Sequence, residues 1–320
     1  MKFIDAATVG AALSYPKLVD VLDEAFRKGA IAPPRHHHTV KLQDRPDATF
    51  LLMPAWTSSA AGAETAGPYM GVKSVTVFPD NGRLGKPAIY GVYLLLSTET
   101  GAPLALMDAT SLTVWRTAAA SAMASRYLSR TDTSRMVMVG AGALAPYLIR
   151  AHASVRPIRE VKIWNRTPDR AEAVVKQLAD SGLNVSVATD LEAAVRDADL
   201  VSSATITSTP LIKGAWLKPG CHVDCVGAYR PDMRETDDEV VRRARIWVDT
   251  MAGGLHEAGD VVIPLKAGVI QESSVQGDLF ALARGEASLR ASAEEITMFK
   301  SVGASIEDLA AAIAVYESGE

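Results

Sequence analysis

The stretch RMVMVGAGALA, residues 135–145, runs from apolar residues into two glycines one residue apart. Taken alone it fits either a buried strand with its turn or the place where a dinucleotide is held. What surrounds it decides. A helical stretch, ALAPYLIRAHASV (143–155), follows, and a second apolar strand ends at Asn165. In a strand, turn, helix and strand of this kind, each position has a task. Gly140 allows the tight turn, Gly142 lets a pyrophosphate approach the backbone, and Ala145 stands where a third glycine would allow close helix packing. The helix N-terminus, with Ala143 and Leu144, then offers free amides and a positive dipole to phosphate. Gly140, Gly142, Ala143 and Leu144 are therefore expected to bind a dinucleotide.

The end of the second strand bears on which dinucleotide. An NAD site usually carries an acid there to bind the ribose hydroxyls. Here the residues are Asn165, Arg166, Thr167 and Arg170. Cations and hydroxyls pair with a 2′-phosphate, and no carboxylate at the strand end repels it. NADPH is the expected coenzyme and NADH the alternative; if Arg166 is only a solvated surface charge, the preference is weak.

Around this motif the strands RMVMVG, EVKIWN, NVSVAT, DLVSSAT, CHVDCVG and ARIWVDT alternate with helical stretches such as 167–182 and 190–198. Such alternation predicts a doubly wound parallel sheet of Rossmann type. The earlier part reads differently. A helix over 15–30 places Leu18, Val21, Leu22, Ala25 and Phe26 at helical spacing before Gly29. Extended segments follow at 38–43, 48–56, 69–78, 88–97 and 102–109, separated by turn-forming residues, which predicts a mainly antiparallel sheet. An alanine-rich helix begins near residue 110. The closing stretch 305–318 is a helix whose Ser305 and Asp308 have capping-box spacing. The fold expected is α/β, with an α+β domain over 1–115 and 305–320 and a Rossmann domain over 116–304.

Composition limits the partners. The 320 residues carry 33 Lys and Arg against 37 Asp and Glu, a formal charge of −4, so no basic footprint invites nucleic acid or an anionic membrane. No apolar run approaches the roughly 18 residues that span a bilayer. The opening MKFIDAATVG carries an acid where a secretory leader is apolar, and a cytoplasmic location is expected. Cys221 and Cys225 offer too few ligands for a metal even with His222, and read as buried reduced thiols. His36, His37 and His38 alternate faces on an extended segment and cannot converge on one ion, so no metal site is expected.

The chain resembles the ornithine cyclodeaminase and μ-crystallin family over essentially its whole length. The matching pieces are MGVKSVTVFPDN (70–81), the long run from Gly91 to Leu128, VGAGALA (139–145), WNRTPDRAE (164–172), VGAYRPDMRETDDEV (226–240) and FKSVGASIEDLAAA (299–312). The resemblance implies a homodimer built on an N-terminal substrate and dimerisation domain, rejoined by the C-terminal helix. It also places Arg35, Lys73 and Arg116 at substrate positions, where fixed cations suit an α-carboxylate. Arg116 is a cofactor candidate as well. In 70–77, Lys73 alternates onto the same face as Val75 and Val77, which favours partial burial over an outward-facing lysine. Further coenzyme contacts are expected at Thr205, Val226, Gly227, Tyr229 and Ser301, and a substrate contact at Val302, whose other reading is core packing.

One departure bears on the chemistry. Cyclodeaminases of the family carry an aspartate where this chain has Tyr229, and a phenol of pKa about 10 is no carboxylate base at neutral pH. Asp232 in the same loop is a substitute only if it swings in. The resemblance with that departure implies reduction of a cyclic ketimine, Δ1-pyrroline-2-carboxylate or its six-membered homologue, to the cyclic imino acid. Lys73 is then the catalytic residue that protonates or polarises the imine. The alternatives are an ornithine cyclodeaminase, an N-alkyl amino acid or alanine dehydrogenase, and a ligand-binding protein without turnover.

Overall fold

The computed structural model describes residues 1–57 and 68–319. The chain divides into two units, Met1–Arg116 with Ala304–Glu320, and Thr117–Gly303.

In the first unit β1 (Lys2–Ile4) leads into α1 (Ala6–Ala12), where the Asp5 carboxylate accepts the Thr8 amide at 2.8 Å and caps the helix. The second helix, α2 (Tyr15–Lys28), buries Leu18, Val19, Leu22 and Phe26 and stops at Gly29. Then come β2 (His36–Val40), β3 (Ala48–Trp56), β4 (Tyr69–Val77), β5 (Ile89–Ser97) and β6 (Pro103–Asp108). They form one sheet in the order β1-β6-β5-β4-β3-β2. Every pair is antiparallel except β1 with β6, a short strand with no recognisable pattern in the sequence. β2 starts two residues before the extended segment read at 38–43; it is an edge strand, and His36, His37 and His38 are all exposed on it. From β6 the chain passes directly into α3 (Ala109–Leu128), which carries on into the second unit.

The second unit alternates strand and helix: β7 (Arg135–Val139), α4 (Ala145–Val155), β8 (Glu160–Trp164), α5 (Pro168–Gln177), β9 (Asn184–Val187), α6 (Leu191–Asp197) and β10 (Leu200–Ser203). After it come β11 (His222–Cys225), α7 (Asp238–Arg243), β12 (Ala244–Val248), α8 (Met251–His256), α9 (Gly259–Lys266), β13 (Val275–Asp278), α10 (Leu279–Arg284) and β14 (Ile296–Lys300). All eight strands are parallel, in the order β13-β12-β14-β11-β10-β7-β8-β9. From β7 the chain builds outward through β8 and β9, then returns to lay β10 on the other side of β7. That reversal opens a crevice at the carboxyl ends of β7 and β10, where ligands bind in such sheets. Two strands escaped the sequence pattern. β13 is short and contains Gly277, and β14, ITMFK, ends in a lysine although it lies between β11 and β12 with all five residues buried.

The chain ends in α11 (Ser305–Glu317), in which every residue from Ser305 to Val315 is buried except the half-buried Ile313. The helix packs on β3, β4, β5 and α2. The capping-box reading at its start does not hold. Ala304 is the N-cap and makes no side-chain cap, Ser305 is the first helical residue, and the Asp308 carboxylate turns into the unit instead of back to the helix start. Burial is the reason, because an ion pair satisfies a fully buried carboxylate better than one amide.

In the second unit, Arg156 closes the C-terminus of α3. Its guanidinium donates to the carbonyls of Ser125, Arg126 and Ser129 at 2.9, 2.6 and 3.0 Å and to Ser129 Oγ at 2.8 Å. The last carbonyls of a helix run short of partners within it, and a cation there also meets the negative end of the dipole. Arg156→Ala is expected to lower the stability of the protein by about 2 kcal/mol. The check is a urea titration, read as a lower midpoint at unchanged m value.

Candidate active site

In the first unit the site begins with a row across the sheet. Met53, Lys73, Tyr93 and Met107 stand opposite one another on β3, β4, β5 and β6 and point to the same buried face. The alternation in β4 puts Lys73 there with Gly71 and Val75, and the lysine is only 2 % exposed. The first turn of α11 supplies two fully buried acids, Glu307 and Asp308. Lys73 Nζ donates to Asp308 Oδ1 at 2.8 Å and approaches Thr113 Oγ1 at 3.5 Å. From α3, Arg116 donates through Nε to Asp308 Oδ1 at 2.9 Å and through Nη1 to Glu307 Oε2 at 2.5 Å. Two cations and two carboxylates thus balance one another out of water.

Burial and neighbours set the charges. Desolvation pushes the Lys73 ammonium down to about 8, the positive charges of Arg116 and Arg35 push the same way, and Asp308 opposes them. For Arg116, burial works against the charge, but Asp308 and Glu307 outweigh it and hold the guanidinium above its ordinary range. Burial raises the Tyr93 phenol, and Asp308 raises it further. Arg35 is half-buried just before β2, and its charge reaches Lys73. This arrangement can donate a proton at neutral pH and present fixed positive charge.

The second unit carries the glycine turn. Gly140 has φ of +100°, and a side chain there would lie 2.9 Å from the Ala204 carbonyl, so the turn and the close strand both require glycine. Around it lies a cavity of about 320 Å³ lined by Gly140, Gly142, Asn165, Arg166, Thr167, Arg170 and Thr205, among others. A Cβ on Gly142 would meet nothing within 4 Å, so the space before the α4 N-terminus is open. Ala143 is exposed, Leu144 is half-buried, and Ala145 is fully buried at the helix start. Asn165 is the first residue beyond β8; its Oδ1 accepts the Ala141 amide at 3.2 Å, which ties the two strand ends together. Arg166 and Arg170 are exposed and pair with no carboxylate among the described residues. An open glycine cradle, helix amides and these guanidiniums suit a dinucleotide phosphate.

The remaining candidates lie along the carboxyl edge of the same sheet. Thr205 follows β10, and Val226, Gly227 and the half-buried Tyr229 follow β11. Ser301 and Val302 follow β14, but both turn inward. Ser301 Oγ and the Val302 and Gly303 amides all donate to Asp249 Oδ2, at 3.1, 2.7 and 2.6 Å. Val302 belongs to the hydrophobic core of the unit. Asp232 does not swing in: its carboxylate lies at the surface, 2.5 Å from Arg230.

Sequence reasoning missed the buried charges that organise both units. Among them are Glu307 and Asp308 in the first unit, and Glu235, Asp260 and Lys300 in the second. The signal that could have found several of them is an ionisable residue inside an otherwise apolar run, as in ITMFK and SIEDLAAAIAV. The same signal singled out Lys73 in MGVKSVTVF.

The chain is similar to known proteins along its whole length. A Delta(1)-pyrroline-2-carboxylate reductase of Colwellia psychrerythraea is 37% identical over 325 residues, 99% of this chain and 99% of that protein. The solved structure of Thermococcus litoralis Delta(1)-pyrroline-2-carboxylate reductase, in complex with NADH and L-proline, superposes with a TM-score of 0.91 at 30% identity, covering 100% of this chain and 97% of that one. An archaeal alanine dehydrogenase dimer with bound NAD superposes with a TM-score of 0.89 at 31% identity, covering 100% and 96%. Residues 2–320 match the ornithine cyclodeaminase/mu-crystallin family from end to end, and the chain belongs to that family.

Proposed function

We propose that this protein is an NAD(P)H-dependent imine reductase that converts Δ1-pyrroline-2-carboxylate, or the six-membered homologue, to the cyclic imino acid. The observation that carries the reading is the buried placement of Lys73 beside Arg116, both joined to Asp308. A substrate with a carboxylate next to a C=N bond needs a cation for the first and a proton for the second. Arg116 engages the two acids through Nε and Nη1, offers Nη2 to the substrate, and with Arg35 holds the carboxylate. Lys73 gives its proton to the imine nitrogen and is reprotonated from solvent. The coenzyme, when bound, supplies the hydride that the imine carbon accepts. In this reading Tyr229 and Ser301 flank the coenzyme, while Val302 packs in the core of the second unit. Cyclodeamination is disfavoured, because position 229 holds no acid and Asp232 is paired with Arg230.

For the coenzyme, Gly140, Gly142, Ala143 and Leu144 cradle the pyrophosphate, while Asn165, Arg166, Thr167 and Arg170 take the adenosine end and favour its 2′-phosphate. Thr205, Val226 and Gly227 lie toward the nicotinamide. A homodimer is part of the proposal. The sheet of the first unit exposes Tyr90 and Val92 on the face opposite Tyr93, an apolar surface that a second copy would cover.

The deciding experiment follows loss of reduced-coenzyme absorbance with Δ1-pyrroline-2-carboxylate, and assays ornithine for ammonia in parallel. Coenzyme oxidation with proline formed and no ammonia is expected; ammonia from ornithine without coenzyme consumption would replace this reading with cyclodeamination. Lys73→Ala is expected to lower kcat by about 10²-fold or more. Because the ammonium must be charged to donate, kcat/KM of the unmodified enzyme should fall as the pH rises through about 8. A flat profile across that range removes Lys73 from the proton step. Replacing Arg166 and Arg170 together by alanine should raise KM for NADPH by about tenfold and leave KM for NADH nearly unchanged. An equal change in the two would mean that neither arginine reads the 2′-phosphate.

A further inference from the structure

Glu235 lies in the loop after β11, is fully buried, and gathers donors from two neighbouring strand ends. Its Oε1 accepts Ser203 Oγ at 2.5 Å, the Thr205 amide at 2.8 Å and Thr205 Oγ1 at 3.0 Å. Its Oε2 accepts the Gly227 amide at 2.8 Å and the Ala228 amide at 3.1 Å, and lies 3.4 Å from Lys300 Nζ. Three amides and the Lys300 ammonium among these partners can only donate, and they favour the carboxylate against the burial that raises its pKa. Lys300, also fully buried, lies 3.1 Å from Asp260 as well. Asp260 in turn accepts the Glu235 amide at 2.8 Å, the Thr236 amide at 2.9 Å and Thr236 Oγ1 at 2.8 Å. The acid that gathers the donors is thus itself held by a second acid through its own backbone.

The strand ends it joins are packed to the limit. A Cβ on Gly227 would lie 2.1 Å from the Thr205 nitrogen, so only glycine permits this approach. Thr205 in turn touches the space behind Gly140, where a Cβ would lie 3.0 Å from its methyl group. Beyond the last ladder bond, from the Val226 amide to the Ser203 carbonyl, one carboxylate therefore bridges the loops that leave β10 and β11, at the edge of the crevice that the sheet reversal opens.

We infer that Glu235 is a positioning residue for the coenzyme, holding Thr205 and Gly227 in register through a buried charge that Lys300 and Asp260 keep in place. The inference rests on the coenzyme reading above. Glu235 does not touch the reacting atoms; it acts through the two loops. Its amide counterpart cannot serve, because one end of glutamine is a donor and would face either the Gly227 and Ala228 amides or the Ser203 and Thr205 groups.

The test measures coenzyme binding without turnover. Reduced coenzyme is titrated into Glu235→Gln, Glu235→Asp, Ser203→Ala and the unmodified protein, with binding read from nicotinamide fluorescence and folding from thermal unfolding. Glu235→Gln is expected to raise the Kd for the coenzyme by about tenfold or more, since a buried donor is left unmatched. Ser203→Ala removes one bond and should raise it by about threefold. Glu235→Asp keeps the charge and should recover part of the loss. In steady-state assays the coenzyme KM should rise while the imine KM stays within about twofold. A folded Glu235→Gln that binds coenzyme as the unmodified protein does overturns the inference, even if it melts at a lower temperature. If that variant does not fold, an unchanged Kd in Ser203→Ala overturns it. Failure of the unmodified protein to bind either reduced coenzyme would instead overturn the proposed function, and this inference with it.

Discussion

Asp308 holds the Lys73 ammonium and the Arg116 guanidinium on one buried carboxylate, and the first unit is arranged around that contact. The acid comes from the last helix, the lysine from the middle of the sheet, and the arginine from the helix that leaves the sheet. Three segments far apart in sequence therefore meet at one pair of oxygens. A buried charge without its partners costs several kcal/mol, so none of the three can be displaced alone. Because the C-terminal helix carries both Asp308 and Glu307, closing the chain back onto the first unit and neutralising its interior cations are the same event.

The second unit applies the same constraint at the carboxyl edge of its sheet. Parallel strands end there in loops whose amides have no ladder partner. Glu235 collects those after β10 and β11, and Asp249 collects those after β14. Deeper in the sheet Asp224 accepts from Ser202 at 2.7 Å and meets His152 at 3.1 Å. Burial works against the Asp224 charge, while His152 and Ser202 outweigh it and lower its pKa. Each carboxylate replaces water as the acceptor for groups that the fold has removed from solvent. This lets loops at a ligand-binding edge keep one conformation without the regular hydrogen bonding of a sheet.

Much of the architecture was legible because it follows from short-range pattern. The strand and helix alternation after residue 135 specified a parallel sheet, and the turn-punctuated segments before residue 110 specified an antiparallel one. Lys73 could be assigned to the inner face by counting from Val75. The exceptions were also physical. β1 is too short to show a period, and the five-residue β14 ends in lysine, so neither announces itself. The capping box over Ser305 and Asp308 failed because local spacing carries no information about burial, and a buried ion pair took the carboxylate.

What the sequence determined by itself was the class of each layer, the glycine turn after β7, and the absence of an acid at 165 and 229. These depend on backbone conformation and residue identity within a few positions. Only the tertiary structure decided which charges meet. Asp308 is 235 residues from Lys73 in the chain, and Glu235 is 65 residues from Lys300. Neither pairing has a local signature, because the energy that selects it is desolvation, and desolvation exists only once the layers have closed.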